Sequence, residues 1–185
     1  DWHGDFRDFK KLGRPRLYFG IAPGAMDSMV NKYTANKRLR SEDAYSPDGR
    51  HDLRPEYPTI IYSKILKQIY PDTPIVLGGI EASLRRLTHY DYWQDKVRKS
   101  ILCDSNADII IYGMGEKQSI AIAKELEAGK SIKDINYIPQ TVFLCKENEI
   151  PGGITDDDIL LHSHEECLQS KKAEAENFKH IEEEA

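Results

Sequence analysis

The sequence predicts an α/β protein: a doubly wound, mainly parallel sheet with helices on both faces, followed by a C-terminal helix. Two short β-branched runs, Ile75-Val76-Leu77 and Ile109-Ile110-Ile111, stop at glycines, Gly78-Gly79 in one case and Gly113 with Gly115 in the other. Runs that are apolar at every position suit strands buried on both faces. Strand and helix patterns alternate through the middle of the chain, as they do when helices wind a parallel sheet. With 185 residues, 39% hydrophobic and 31% charged, the chain can bury one ordinary core and carry an appendage, in a soluble protein.

In chain order, residues 1 to 15 are polar and aromatic, and Trp2, Phe6, Phe9 and Leu12 are spaced for a short helix that stops at Gly13 and Pro15. Leu17-Tyr18-Phe19-Gly20-Ile21 predicts a buried strand, and Ala22-Pro23-Gly24-Ala25 a turn leading to Met26-Asp27-Ser28-Met29. From residue 31 to 58 the apolar periodicity vanishes. A long irregular excursion is expected there, around Tyr33, Tyr45 and Pro47. Loops of that length are functional or disordered, and the tyrosines weigh against disorder.

Residues 58 to 70 predict a helix with Ile61, Ile65, Leu66 and Ile69 on one face, stopped by Pro71 ahead of a strand over 74 to 78. An irregular to helical stretch rich in arginine and aromatics follows over 81 to 103. Next come a strand over 109 to 112, a helix over 116 to 126 with its exit at Gly129, a helical turn over 132 to 135 and a last strand over 140 to 146. Pro151-Gly152-Gly153 closes the compact domain, so residues 1 to 153 form the α/β unit and 154 to 185 an acidic linker and helix. That helix has sparse apolar points, Leu168, Ala175, Phe178 and Ile181, so it either docks weakly or stays solvated. There is no internal repeat.

The net charge of −5 hides an asymmetry. Residues 1 to 100 carry 18 Lys and Arg against 13 Asp and Glu, a balance of +5; residues 101 to 185 carry 8 against 18, a balance of −10. The first half suits an anionic partner better than the second, but no dense basic block stands out, so solvated surface is the simpler explanation of either excess. Cys103, Cys145 and Cys167 lie far apart and form no metal or disulfide pattern. A reducing cytoplasm is their natural setting, with Cys103 and Cys145 as small buried residues. No apolar stretch approaches the roughly 20 residues that cross a bilayer. The opening Asp1-Trp2-His3-Gly4-Asp5 is neither a signal peptide nor an initiator region, so the chain reads as a piece of something longer.

Glycine where a strand leaves the sheet lets backbone approach a ligand or a neighbouring domain, which places the candidate site at the strands' carboxyl ends. The candidates for substrate contact or domain docking are Gly20, Met26, Asp27 and Ser28 after the first strand. Gly78, Gly79, Glu81, Ser83, Arg85, Arg86, His89 and Asp91 follow the second, and Gly113, Gly115 and Glu116 the third. On this reading Arg85 and Arg86 supply cationic contacts, Ser83 a hydroxyl, and Glu81 or Glu116 a charged anchor. Plain turn chemistry is the alternative for the glycines. For His89-Tyr90-Asp91-Tyr92-Trp93 the alternative is packed rings with Asp91 paired to an arginine.

No catalytic residue is assigned, since no nucleophile, histidine and acid arrangement is legible. No metal site is assigned either. His162-Ser163-His164-Glu165-Glu166, near Asp156-Asp157-Asp158, has the ligand types for zinc or nickel, but it sits in an acidic tail that reads as a solvated face.

Four stretches resemble the amino-terminal region of the YgiQ family of radical SAM proteins. They are Gly13-Arg14-Pro15-Arg16-Leu17-Tyr18-Phe19-Gly20, Met26-Asp27-Ser28-Met29-Val30-Asn31-Lys32-Tyr33-Thr34-Ala35, residues 77 to 86, and His89-Tyr90-Asp91-Tyr92-Trp93. The resemblance runs from Trp2 to about Leu126 and more loosely to the final helix. It implies a cobalamin-binding-like, flavodoxin-like domain ahead of a radical SAM barrel, whose first strand and helix would precede Asp1.

In the parent protein the resemblance implies a Cys-x-x-x-Cys-x-x-Cys motif holding a 4Fe-4S cluster that reductively cleaves S-adenosylmethionine. That motif is not among these residues, so no cofactor is expected on this piece. Its implied partners are the barrel of the same chain and an unidentified substrate, with no membrane. Cobalamin is not expected: the Asp-x-His-x-x-Gly motif that ligates cobalt in the methionine synthase type loses its final glycine here, because Asp1-Trp2-His3 continues Gly4-Asp5-Phe6. Two functions follow. One is a non-catalytic domain that caps the barrel or helps bind substrate; the other is a module that binds a nucleotide, an RNA or a protein through the basic first half.

Overall fold

The structure is a computed structural model and describes residues 2–150 and 152–184. Asp1, the first residue of the incomplete cobalt-ligand motif, and Pro151, the first of the domain-closing triplet, lie outside the described residues. The main sheet contains β1 (Phe19–Ile21), β2 (Ile75–Leu77), β5 (Ile109–Ile111) and β6 (Thr141–Phe143), in the order β1-β2-β5-β6. The first three strands are parallel, with Phe19 opposite Ile75 and Val76 opposite Ile109; β6 runs antiparallel to β5, pairing Phe143 with Ile109. This is the mainly parallel α/β sheet that the sequence predicts.

Helices cover both faces of the sheet, which is why its strands are apolar at every position. Successive residues of a strand point to opposite faces. Ile75, Leu77 and Ile110 share one layer with Leu66 of α3 (Pro58–Ile69) and with Ile101 and Leu102 of α5 (Ile101–Ser105). Val76, Ile109 and Ile111 share the other with Ile122 of α6 (Glu116–Glu127) and with Ile135 and Ile138. Pro58 starts α3 at its first position, where a missing amide proton costs nothing. The Asp108 carboxylate ties this helix to the sheet, accepting from the Ile75 amide and from Lys67 Nζ, each at 2.8 Å.

Several elements differ from expectation. The opening helix shrinks to α1 (Arg7–Lys10), too short to carry the whole apolar spacing. Phe9 packs on Tyr62 with ring centroids 5.4 Å apart, while Leu12 is 93% exposed. The stretch over 81 to 103 contains a hairpin, β3 (His89–Asp91) with β4 (Lys96–Arg98), between α4 (Gly79–Leu84) and α5. Its turn lacks the Asn-Gly or Asp-Gly signal of tight hairpins. Asp95 takes the positive φ of +53°, and Asp91 accepts from the Gln94 amide at 2.9 Å.

Cys103 and Cys145 are exposed, not buried, while Cys167 is buried. On α5 the inward positions go to Ile101, Leu102 and Ser105, which leaves Cys103 outside; Cys145 follows β6 beside the exposed Leu144.

The tail forms two helices rather than one, α7 (His164–Gln169) and α8 (Lys171–Glu183), broken at Ser170. Ser163 and Glu166 close a capping box at the start of α7. Both helices pack on the hairpin, α7 on β4 and α8 on β3. The buried side chains are Cys167, Ala173 and Asn177, whereas Leu168, Ala175 and Phe178 face outward. Asn177 can be buried because its amide is fully engaged, with the His162 backbone at 2.8 and 2.9 Å and with Cys167 Sγ at 3.3 Å. No described helix is long and apolar enough to cross a membrane.

Replacing Asp108 by alanine leaves the Ile75 amide and Lys67 without their shared acceptor. A loss of about 1–3 kcal/mol is expected in urea unfolding, with the slope unchanged. Lys67→Met should cost less, because the amide keeps its partner. An unshifted midpoint for Asp108→Ala would show that the strap contributes nothing.

Candidate functional site

At the carboxyl edge of the sheet the three parallel strands turn away within contact of one another. Gly79 has φ +79°, and a Cβ there would stand 3.5 Å from the Ala22 Cβ, so the exits of β1 and β2 touch. At Gly115 the constraint is harder: a Cβ would fall 2.6 Å from Ile111 Cγ2, which no side chain tolerates. Gly20 and Gly78 have ordinary space around them, with nearest atoms at 3.8 Å. Ser83 joins the exits of β2 and β5. Its hydroxyl donates to the Gly79 carbonyl at 2.9 Å and accepts from the Gly113 amide at 3.4 Å.

Behind this edge lies a buried polar network. Glu81, 1% exposed, accepts from the Ser28 amide at 3.2 Å through one oxygen and from the Thr59 amide at 3.0 Å through the other. Those amides belong to the first turns of α2 (Ser28–Lys32) and α3, where helical N–H groups lack intrahelical partners. A carboxylate there also meets the positive ends of both helices.

Asp27 caps α2, accepting from the Met29 and Val30 amides at 3.0 and 3.2 Å, and pairs with Arg85 through its second oxygen. Arg85 is 8% exposed. Burial works against its charge, but Asp27, together with Glu81 and Asp91, outweighs that and holds the proton more firmly than usual. Its guanidinium lies 5.2 Å from the ring centre of Tyr57, whose hydroxyl donates to Asp91 at 2.8 Å. Burial first, and the neighbouring Asp91 second, raise the Tyr57 hydroxyl above its ordinary range, so it remains a donor. The arginine partner of Asp91 expected from sequence is therefore a tyrosine hydroxyl, and Arg85 belongs to Asp27.

His89 on β3 engages the Leu87 carbonyl through Nδ1 at 3.0 Å, and burial depresses its proton affinity. Arg86 donates to the Ser83 carbonyl at 2.7 Å and stacks 4.8 Å from the Tyr112 ring centre. Glu116, at the start of α6, is exposed. Of the candidate residues, then, Asp27, Ser28, Glu81, Arg85 and Asp91 converge inside the domain, while Met26, Gly113 and Glu116 face out. Tyr57 and Thr59 escaped the sequence reading; the Tyr-Pro step that opens α3 was their only local signal.

Beside the network a groove of about 450 Å³ runs between the exit of β2, the hairpin and α8, lined by Asp27 and Arg85 of the network and by Leu84, Trp93, Phe178 and Ile181 among others. The strand exits present apolar side chains outward: Met26 is 41% exposed, Ile80 46%, Leu84 61% and Met114 78%. Of the three cysteines, Cys103 is exposed on α5, Cys145 is exposed after β6 and Cys167 is buried on α7. Among the described residues no three His, Cys, Asp or Glu side chains group to hold a metal ion.

Comparison with known proteins matches residues 1–185 to the sequence family described as Radical SAM N-terminal. A UPF0313 protein of Bacteroides thetaiotaomicron is 62% identical over 196 residues, covering 100% of this chain and 31% of its own length. One from Porphyromonas gingivalis is 58% identical, covering 98% of this chain and 28% of its own length. A third, from Clostridium perfringens, is 48% identical, covering 97% and 26%. The chain thus spans less than a third of the curated relatives it matches. No solved structure matches it.

Glu81→Gln turns one oxygen of the double acceptor into a donor aimed at a backbone amide. A loss of about 1–3 kcal/mol in urea unfolding is expected, and more for Glu81→Ala. A Glu81→Gln variant as stable as the parent would remove Glu81 from its proposed place at the head of two helices.

Acid should destabilise the fold in two windows. His89 binds its proton less readily folded than unfolded, so stability declines as pH falls below about 6.5, and His89→Phe should flatten that limb. Burial alone would raise the Asp43 carboxyl, but Asn31, the Tyr45 amide, Ser46 and Arg54 together hold it at about 2 against an ordinary 3.8. Its contribution, on the order of 2 kcal/mol, is complete above the unfolded value and is lost as pH falls toward 2. Urea titrations across pH check both. Unchanged slopes in His89→Phe and Asp43→Asn would count against these assignments.

Proposed function

The chain belongs to the radical SAM N-terminal family, and we propose that it is the non-catalytic α/β domain of a radical SAM iron–sulfur enzyme, capping the catalytic barrel or holding substrate against it. The observation that carries this reading is the family match over residues 1–185 in relatives more than three times as long. On this reading the 4Fe-4S cluster and S-adenosylmethionine belong to the remainder of the longer protein, where the cluster supplies the electron that cleaves the sulfonium. Supporting this reading, the Cys-x-x-x-Cys-x-x-Cys spacing is not among these residues. What its residues do is hold shape: Glu81, Asp27 and Arg85 fix the strand exits, and the exits and the adjoining groove form the face turned toward the barrel and its substrate. Unpaired thiols suit a reducing cytoplasm.

The test is iron content with turnover. The longer gene product should contain three cysteines at the Cys-x-x-x-Cys-x-x-Cys spacing. After anaerobic reconstitution and desalting it should retain about four iron atoms per chain and form 5′-deoxyadenosine from S-adenosylmethionine under reduction. The 185-residue chain treated identically should retain none. Stoichiometric iron on the short chain, or none on the long one, would sink the proposal.

A further inference from the structure

Several of the side chains that face solvent at the carboxyl edge are apolar, although Glu116 is exposed there too. On α4, Ile80 and Leu84 lie one turn apart and point outward at 46% and 61% exposed, while Glu81 and Arg85, also one turn apart, are buried. A short helix ordinarily does the reverse. The neighbouring exits repeat the pattern, with Met26 after β1 and Met114, 78% exposed, after β5. In the sheet order β1-β2-β5 these exits are adjacent, and the close approaches of Gly79 to Ala22 and of Gly113 to Ser83 put the four residues at one edge of the sheet. Apolar residues scattered singly over a surface need no explanation, but four gathered at one edge of a sheet mark an interaction surface. Methionine suits such a surface because its unbranched thioether adapts to a partner's shape.

We infer that Met26, Ile80, Leu84 and Met114 form the docking surface for the part of the longer protein that follows residue 185; this rests on the reading that the chain is one domain of that protein. Two observations select this occupant. The chain spans only 26 to 31% of its relatives' length, so the same polypeptide has ample further surface to bring. And α8 brings the chain to the Leu84 side of this edge, because Ile181 and Glu182 of its last turns line the same groove as Leu84. A segment starting there docks intramolecularly, at high effective concentration and with little loop-closure cost. The four exposed side chains are apolar, while the Arg85–Asp27 pair lines the adjoining groove.

The three methionines, Met26, Met29 and Met114, provide the assay, since thioether oxidation by peroxide follows access and Met29 is buried within the domain. In the longer native protein, peptide mass spectrometry should find Met26 and Met114 oxidised at least about tenfold more slowly than in the same protein unfolded in urea, as Met29 is. Ile80→Asp with Leu84→Asp should restore oxidation of Met114 while Met29 stays protected. Should that variant lose Met29 protection as well, it has unfolded, and the unmodified protein decides. Oxidation of Met26 and Met114 at the unfolded rate with Met29 protected overturns the proposal. So does protection that disappears on dilution together with a change in sedimentation, which would make a second copy the occupant. Iron content, measured on the same samples, reports separately on the radical SAM assignment.

Discussion

The arrangement of the strand exits depends on one buried carboxylate. Burying a charge among apolar groups costs several kcal/mol unless its lone pairs are met, and removing its partners afterwards costs more than the pair contributed. Glu81 is met by the first-turn amides Ser28 and Thr59, which have no acceptor in their own helices. Each side therefore satisfies the other's deficit. Because one carboxylate spans both amides, the starts of α2 and α3 are fixed relative to α4, and the loops after β1 and β2 cannot shift independently. Asp27 extends the constraint by capping α2 and pairing with Arg85 one turn beyond Glu81.

This network turns α4 inside out. With Glu81 and Arg85 committed to the interior beside Ala82, the residues about 100° round the helix, Ile80 and Leu84, are left to solvent. Of the polar residues that look like a ligand surface in the sequence, Asp27, Glu81 and Arg85 are buried, while Glu116 and the apolar Met26, Ile80, Leu84 and Met114 are exposed. The glycines retain a role, but a steric one. Gly79 and Gly115 permit close packing of exit on exit and of strand on helix, the close approach expected of them, directed at the protein's own backbone and side chains.

The irregular excursion over residues 31 to 58 obeys the same principle on a smaller scale. Asp43 gathers Asn31 at 2.9 Å, the Tyr45 amide at 2.9 Å, Ser46 at 2.9 Å and Arg54 at 3.1 Å, so a segment without apolar periodicity is organised around a carboxylate instead of a hydrophobic stripe. The tail does likewise with Asn177, whose amide closes the connection between residue 162 and α8. Periodicity arguments count apolar side chains, so they read such positions as surface. The sparse apolar points of the tail, Leu168, Ala175 and Phe178, accordingly face outward, and Cys167, Ala173 and Asn177 are the buried side chains.

The sequence by itself determined the sheet and its longer helices. Ile75-Val76-Leu77 and Ile109-Ile110-Ile111 must be apolar throughout because both of their faces are covered, and α3 and α6 carry helical periodicity bounded by Pro58 and Gly129. Family membership was legible as well, in runs too long to arise by chance. Tertiary structure alone decided which way α4 faces. Ile80 with Leu84 and Glu81 with Arg85 are both spaced four apart, so the local pattern allows either pair inside. The choice falls to the two helix N-termini and the Asp27 carboxylate, brought in from distant parts of the chain, which make the charged pair cheaper to bury than to leave those amides unmet.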